Sequence, residues 1–114
     1  MSTAGAQAEQ LAAQYLQRQG LKLLHSNYRC RFGEIDLICQ QQDTLVFVEV
    51  RLRSHAAFGG AAASIDGHKQ AKLVRTAQHY LATLAHIPPC RFDAVLMQSM
   101  DSHGIEWVKN AFAA

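Results

Sequence analysis

Glu34 and Asp36 stand on one strand-like segment, Gly33 to Cys39, and Glu49 stands on the next, Thr44 to Leu52. Strand side chains alternate faces with a period of two. Glu34, Asp36 and Ile38 therefore share a face, as do Phe47, Glu49, Arg51 and Arg53. The polar run Gln40 to Asp43 reads as the hairpin turn between them. A turn at Gln41-Gln42 sets Glu34 opposite Glu49 with Asp36 on the diagonal; a two-residue shift sets Asp36 directly opposite Glu49. In either register the acids lie roughly 5–8 Å apart on one face. Carboxylates held that close repel one another unless a cation or a proton intervenes. Magnesium binds through one or two carboxylates plus water and substrate phosphate, and such an ion polarises a phosphate and acidifies a bound water. Arg51, two residues on from Glu49, is placed to offset charge developing at phosphorus. The alternative is an exposed sheet face on which Glu34 or Glu49 pairs with Arg51 or Arg53.

The charge distribution agrees with either reading. Net charge is only +2, but it is blocked: residues 18–31 carry four bases and no acid, residues 32–49 four acids and no base, and residues 50–75 five bases against Asp66. An acidic block between two basic ones suits a metal site set in an anion-binding surface, and equally a chain with ordinary solvated charges. Within the second basic block His68, Lys72, Arg75 and His79 follow helical spacing, with Lys69 beside them. A stripe of this kind can follow a phosphate backbone. Phe58 and Gly59-Gly60 form a loop able to stack on a distorted strand or simply to anchor itself.

The elements that must position these residues run α-β-β-β-α-β-β. Thr3 to Gln19 predicts an amphipathic helix with Ala8, Leu11, Ala12, Tyr15 and Leu16 on one face, capped by Ser2 or Thr3 and ended at Gly20. Strands follow over Leu21 to Tyr28, Gly33 to Cys39 and Thr44 to Leu52, then a loop from Ser54 to Ser64. A second helix runs from about Ile65 to Ala85, stopped before Pro88-Pro89. Cys90 to Gln98 and Gly104 to Lys109 close the order as two further strands. This is an α/β domain with one mixed sheet flanked by helices.

With 114 residues, 49% of them hydrophobic, the chain is expected to form one domain over 1–114 without a stabilising disulfide or metal. Cys30, Cys39 and Cys90 are scattered without a CxxC pair, and no histidines have zinc-ligand spacing. No apolar run spans a bilayer, and Met1 to Gln19 lacks the basic start and apolar block of a secretory signal. A cytoplasmic protein with no membrane partner is the expectation.

Gly33-Glu34-Ile35-Asp36-Leu37-Ile38, Phe47-Val48-Glu49-Val50-Arg51-Leu52-Arg53 and the later Arg91-Phe92-Asp93-Ala94-Val95 together resemble the YraN family of small bacterial proteins, from Glu9 to the Trp107 strand. That family is regarded as resolvase-like, within the PD-(D/E)xK nuclease superfamily. The resemblance implies a restriction-endonuclease-like fold and magnesium- or manganese-dependent cleavage of branched or flapped DNA, by a homodimer. It implies Asp36 and Glu49 as metal ligands and catalytic residues, with Glu9 and the Val50 backbone carbonyl completing the metal set. Lys69, Lys72, Arg75 and Arg53 would contact phosphates. Two positions depart from the superfamily pattern. Ile35 replaces the proline that often precedes the aspartate, and Arg51 stands where lysine is usual. Arginine stays protonated and cannot act as a base, so Arg51 is assigned to orienting water or offsetting charge. The same substitution favours the alternative: a non-catalytic nucleic-acid-binding module that keeps the nuclease fold.

Overall fold

The computed structural model describes residues 4–52, 65–98 and 104–112. The proposed helix caps Ser2 and Thr3, Arg53, and the Phe58 and Gly59-Gly60 loop lie outside the described residues. The elements are α1 (Ala4–Arg18), β1 (Lys22–Cys30), β2 (Gly33–Gln41), β3 (Thr44–Leu52), α2 (Gly67–Leu81), β4 (Cys90–Met97) and β5 (Ile105–Phe112). The strands form one sheet in the order β1-β2-β3-β4-β5. All neighbours are antiparallel except β3 and β4, which pair in parallel across the α2 connection. The layout is the mixed α/β one that the sequence predicts.

Two cores, one on each face of the sheet, hold the helices in place. Ala8, Ala12, Ala13 and Leu16 of α1 pack on Leu37, Cys39, Val46 and Val48. Three alanines in that stripe let the helix approach the sheet closely, while Leu16 is its largest fully buried side chain. The helix ends where expected. Gly20 takes φ +99°, a left-handed conformation that costs glycine little, and the Leu21 N–H then reaches back to the Leu16 carbonyl at 3.0 Å. Leu73, Ala77 and Tyr80 of α2 pack on the opposite face against Ile35, Ile38, Leu45 and Phe47. Asp66 caps this helix by accepting from the Lys69 N–H at 2.9 Å.

The second helix stops at Leu81, short of the expected Ala85. Beyond it the chain makes tight turns: the N–H and hydroxyl of Thr83 both donate to the Tyr80 carbonyl, at 3.0 and 2.6 Å. A threonine hydroxyl that takes over a backbone acceptor competes with helical hydrogen bonding.

The β2–β3 hairpin resolves the two registers left open. Gln41 pairs with Thr44, Ile38 with Phe47 and Leu37 with Val48, so the turn is Gln42-Asp43, with Gln42 at φ 54°. This is the register that brings Asp36 and Glu49 level. Strict alternation fails at the same place: Ile35 and Ile38, three residues apart, both belong to the α2-side core.

Candidate functional site

The regular β2–β3 pairing ends at Leu37 and Val48. Just beyond, the Val50 N–H donates to Asp36 Oδ2 at 2.8 Å, so a side-chain carboxyl takes the place of a ladder acceptor. Asp36 is thereby fixed at the point where the two strands part, 8% exposed, and Glu49 beside it is 7% exposed. Isoleucine at 35 and valines at 48 and 50 make this neighbourhood apolar. Two acids are therefore buried with few donors to satisfy them.

The titration of Glu49 reflects that poverty. Burial pushes the Glu49 carboxyl up to about 9, reinforced by a hydrogen bond to Asp36 and by its charge; Arg51 opposes the shift and Glu34 adds to it. Glu9, half-buried on α1, is pushed up to about 7 by burial first, then by the charges of Asp36 and Glu34 and a hydrogen bond to Asp36. Asp36 is thus the middle member of a chain of carboxyls that joins α1, β2 and β3. Carboxyls in contact hold shared protons because they cannot all ionise together. Among the described residues no three acidic, histidine or cysteine side chains converge on one ligating point.

A cleft of about 600 Å³ opens on the α2 side of this chain. Glu49 and Glu34 line one wall, Lys69, Lys72 and His68 of α2 another, and Arg29 and Cys30 the end of β1. Lys69 Nζ stands 3.9 Å from Glu49 Oε2, a long ion pair at the cleft wall. Arg29 pairs with Glu34 at 3.1 Å on an exposed rim. Gly33 closes the floor at φ +145°, where a side chain would meet Thr76 Oγ1 at 3.3 Å and Lys72 Cε at 3.7 Å. Glycine is required there both for the backbone angle and for the close approach of α2.

The structure brings together Asp36, Glu49 and Glu9, with Val50 meeting them through its N–H, and sets Lys69 and Lys72 at the adjoining cleft. Arg51 is partly buried within electrostatic reach of Glu49, and its Nε has no hydrogen-bond partner among the described residues. Arg75 is exposed one turn further along α2 and does not line the cleft. His79, the last member of the basic stripe, is engaged elsewhere: its Nδ1 is hydrogen-bonded to the Tyr28 hydroxyl at 2.6 Å. Arg29 and Cys30 escape a reading of the sequence, because only the packing of β1 against the start of α2 brings them to Glu49.

No helix among the described residues is long and apolar enough to cross a membrane. Residues 8–97 match the model of the uncharacterised protein family UPF0102. A UPF0102 protein of Nitrosomonas europaea is 61% identical over 108 residues, covering 95% of this chain and 92% of the relative. One from Methylobacillus flagellatus is 56% identical over 114 residues and all of both chains. A third, from Cupriavidus taiwanensis, is 56% identical over 111 residues, 96% of this chain and 82% of the relative.

Proposed function

This chain belongs to the uncharacterised family UPF0102, the YraN family, and from that membership and its buried acids we propose a divalent-metal-dependent endonuclease acting on branched or flapped DNA in the cytoplasm. The family's name carries no activity. The observation that supports the reading is the linked set of Glu9, Asp36 and Glu49 beside a cleft walled by Lys69 and Lys72. Solvated surface acids would not be buried against one another with raised protonation.

Carboxyl oxygens are the donors a hard cation takes, and here three carboxyls are linked without converging on one ligating point among the described residues. Burial beside Asp36 leaves Glu9 and Glu49 holding protons, and oxygen-ligated magnesium or manganese would replace such protons on binding. Asp36 and Glu49 are the proposed ligands, with Glu9 and the Val50 carbonyl completing the set. The ion supplies Lewis acidity that polarises a phosphodiester and acidifies the attacking water.

The chain's own residues do the rest. Lys69 and Lys72 hold phosphate oxygens in the cleft, and Lys69 also keeps the Glu49 carboxyl oriented. Arg75, exposed one turn further along α2, offers a cation to flanking phosphates; Arg53, implied by the family resemblance, lies outside the described residues. Arg51 stays charged and offers its Nε–H, unpartnered among the described residues, to negative charge that develops in the transition state. A homodimer pairs two such sites, which suits a junction with two equivalent strands.

A second reading has its own support. Arg51 in place of a titratable lysine favours a binding module that keeps the fold without turnover. The deciding experiment incubates four-way junction, flap, single-stranded and linear DNA with magnesium or manganese, using the protein and an Asp36→Ala/Glu49→Ala variant. Metal-dependent cleavage by the unaltered protein alone supports the nuclease. Absence of cleavage, with tight salt-dependent binding by both, supports the binding module, and cleavage gained on Arg51→Lys would locate the defect.

A further inference from the structure

We propose that Phe32, at the turn between β1 and β2, seats an unpaired nucleobase of the DNA strand whose phosphates enter the adjoining cleft. This deepens the nucleic-acid reading above and rests on it.

Phe32 is half-buried but belongs to neither core and packs against neither, unlike Tyr28, Phe47, Phe92 and Phe112. Its ring neighbours are polar and cationic. The Arg31 guanidinium lies 4.8 Å above the ring centroid, and the His79 imidazole meets it edge-on at 6.2 Å. An aromatic ring held at a turn by a cation and an imidazole contributes little to folding, while the same combination is what stacks a base and neutralises its phosphate.

The ring is also held in place. Tyr28 packs on the α2-side core, meets Tyr80 at 5.2 Å and hydrogen-bonds His79 at 2.6 Å, so the imidazole beside Phe32 is itself anchored. On the other side Gly33 lies so close to α2 that the turn is pinned at Thr76 and Lys72. Location supplies the rest. Arg29 and Cys30 before Phe32, and Gly33 and Glu34 after it, all line the cleft that holds Glu49, Lys69 and Lys72. A strand with its phosphate at the two lysines therefore passes the turn within a nucleotide or so. A base paired in a duplex offers only its edge, whereas an unpaired base offers the face that a phenyl ring needs.

The test measures binding without divalent cation, so that no strand is cut. The probes are a flap carrying 2-aminopurine in its unpaired segment and a blunt duplex of the same length. The unaltered protein should quench 2-aminopurine fluorescence on binding. Phe32→Leu, which keeps apolar volume but not the ring face, should abolish the quench and weaken flap binding by about tenfold, with duplex binding changed less than about twofold. Phe32→Trp should restore both flap affinity and quench. Equal loss on flap and duplex, or full quench by Phe32→Leu, overturns the stacking seat while leaving the nucleic-acid reading intact. Failure of the unaltered protein to bind either DNA overturns both.

Discussion

Two aspartates, each near the middle of a strand, are buried in this small sheet, and they are treated in opposite ways. Asp93 on β4 is 1% exposed and surrounded by donors: Arg91 Nε at 3.0 and 3.2 Å to its two oxygens, Trp107 Nε1 at 2.8 Å and the Asn110 N–H at 3.0 Å. Asp36 on β2 receives the Val50 N–H and is otherwise hydrogen-bonded to two further acids, Glu9 and Glu49. A buried charge is tolerable when paired and hydrogen-bonded, and expensive when it is not. Asp93 therefore joins β4 to β5, whereas the Asp36 group carries a cost that stability alone does not repay. Strain of this kind marks the place where a ligand is expected.

The largest effect should fall on the satisfied aspartate. Asp93→Ala strands the half-buried Arg91 guanidinium, whose Nη2 already lacks a partner among the described residues, together with the indole and the Asn110 N–H. Breaking a buried pair from one side costs about 3–5 kcal/mol, which chemical denaturation of the variant should show. Glu49→Gln should do the reverse. Removing one member of a crowded set of acids should leave metal-free stability unchanged or raise it by on the order of 1 kcal/mol near pH 8. A loss at Glu49 as large as that at Asp93 would mean that both acids are structural, and the contrast would be void.

A pH series sharpens the same contrast. Glu9 and Glu49 have folded pKa values of about 7 and about 9 against an ordinary 4.5, so between those limits the native state holds protons that the unfolded chain has released. Their contribution is full below about pH 4.5 and is lost as pH rises through 7 and then 9. Denaturation midpoints in a chelator should therefore decline from pH 5.5 to pH 9, and millimolar magnesium or manganese should flatten the decline by taking the protons' place. Glu49→Gln should remove most of the slope. A flat profile in chelator would show that these carboxyls do not hold protons in the folded protein.

How much of this could be read in advance differs between the two aspartates. The pairing of Asp36 with Glu49 follows from strand periodicity once a register is chosen, but the register could not be chosen. Three consecutive glutamines and an aspartate carry no unique turn signal, and only the left-handed Gln42 decides it. The break in alternation at Asp36 was also hidden, because it arises where β2 leaves β3 and a carboxyl substitutes for a backbone acceptor. Glu9 was legible only through the family resemblance, and its contact with Asp36 depends on how α1 lies across the sheet. Around Asp93 the neighbour two residues away could be seen, whereas Trp107 and Asn110 arrive only when β5 folds back. Local spacing put Asp36 and Glu49 on one face, and tertiary packing determined that they are buried and which of the buried acids are satisfied.

The smallest expected effect concerns the cations beside the two aspartates. Lys72 lines the cleft next to Glu49, whereas Lys109 lies 4.4 Å from the centroid of the Trp107 ring that donates to Asp93. Both are exposed lysines, so composition and net charge treat them alike. If the unsatisfied acids mark the nucleic-acid site, only Lys72 neutralises a phosphate. Lys72→Ala should lower DNA affinity a few-fold and reduce the magnitude of the slope of log affinity against log salt by about 1, the counterion released by one contact. Lys109→Ala should leave that slope unchanged while losing a cation–π contact worth about 0.5–1 kcal/mol of stability. Titrations of both variants at several salt concentrations separate the two. Equal slopes would mean that DNA responds to total charge rather than to the cleft, and the difference between the aspartates would then describe only how the sheet is built.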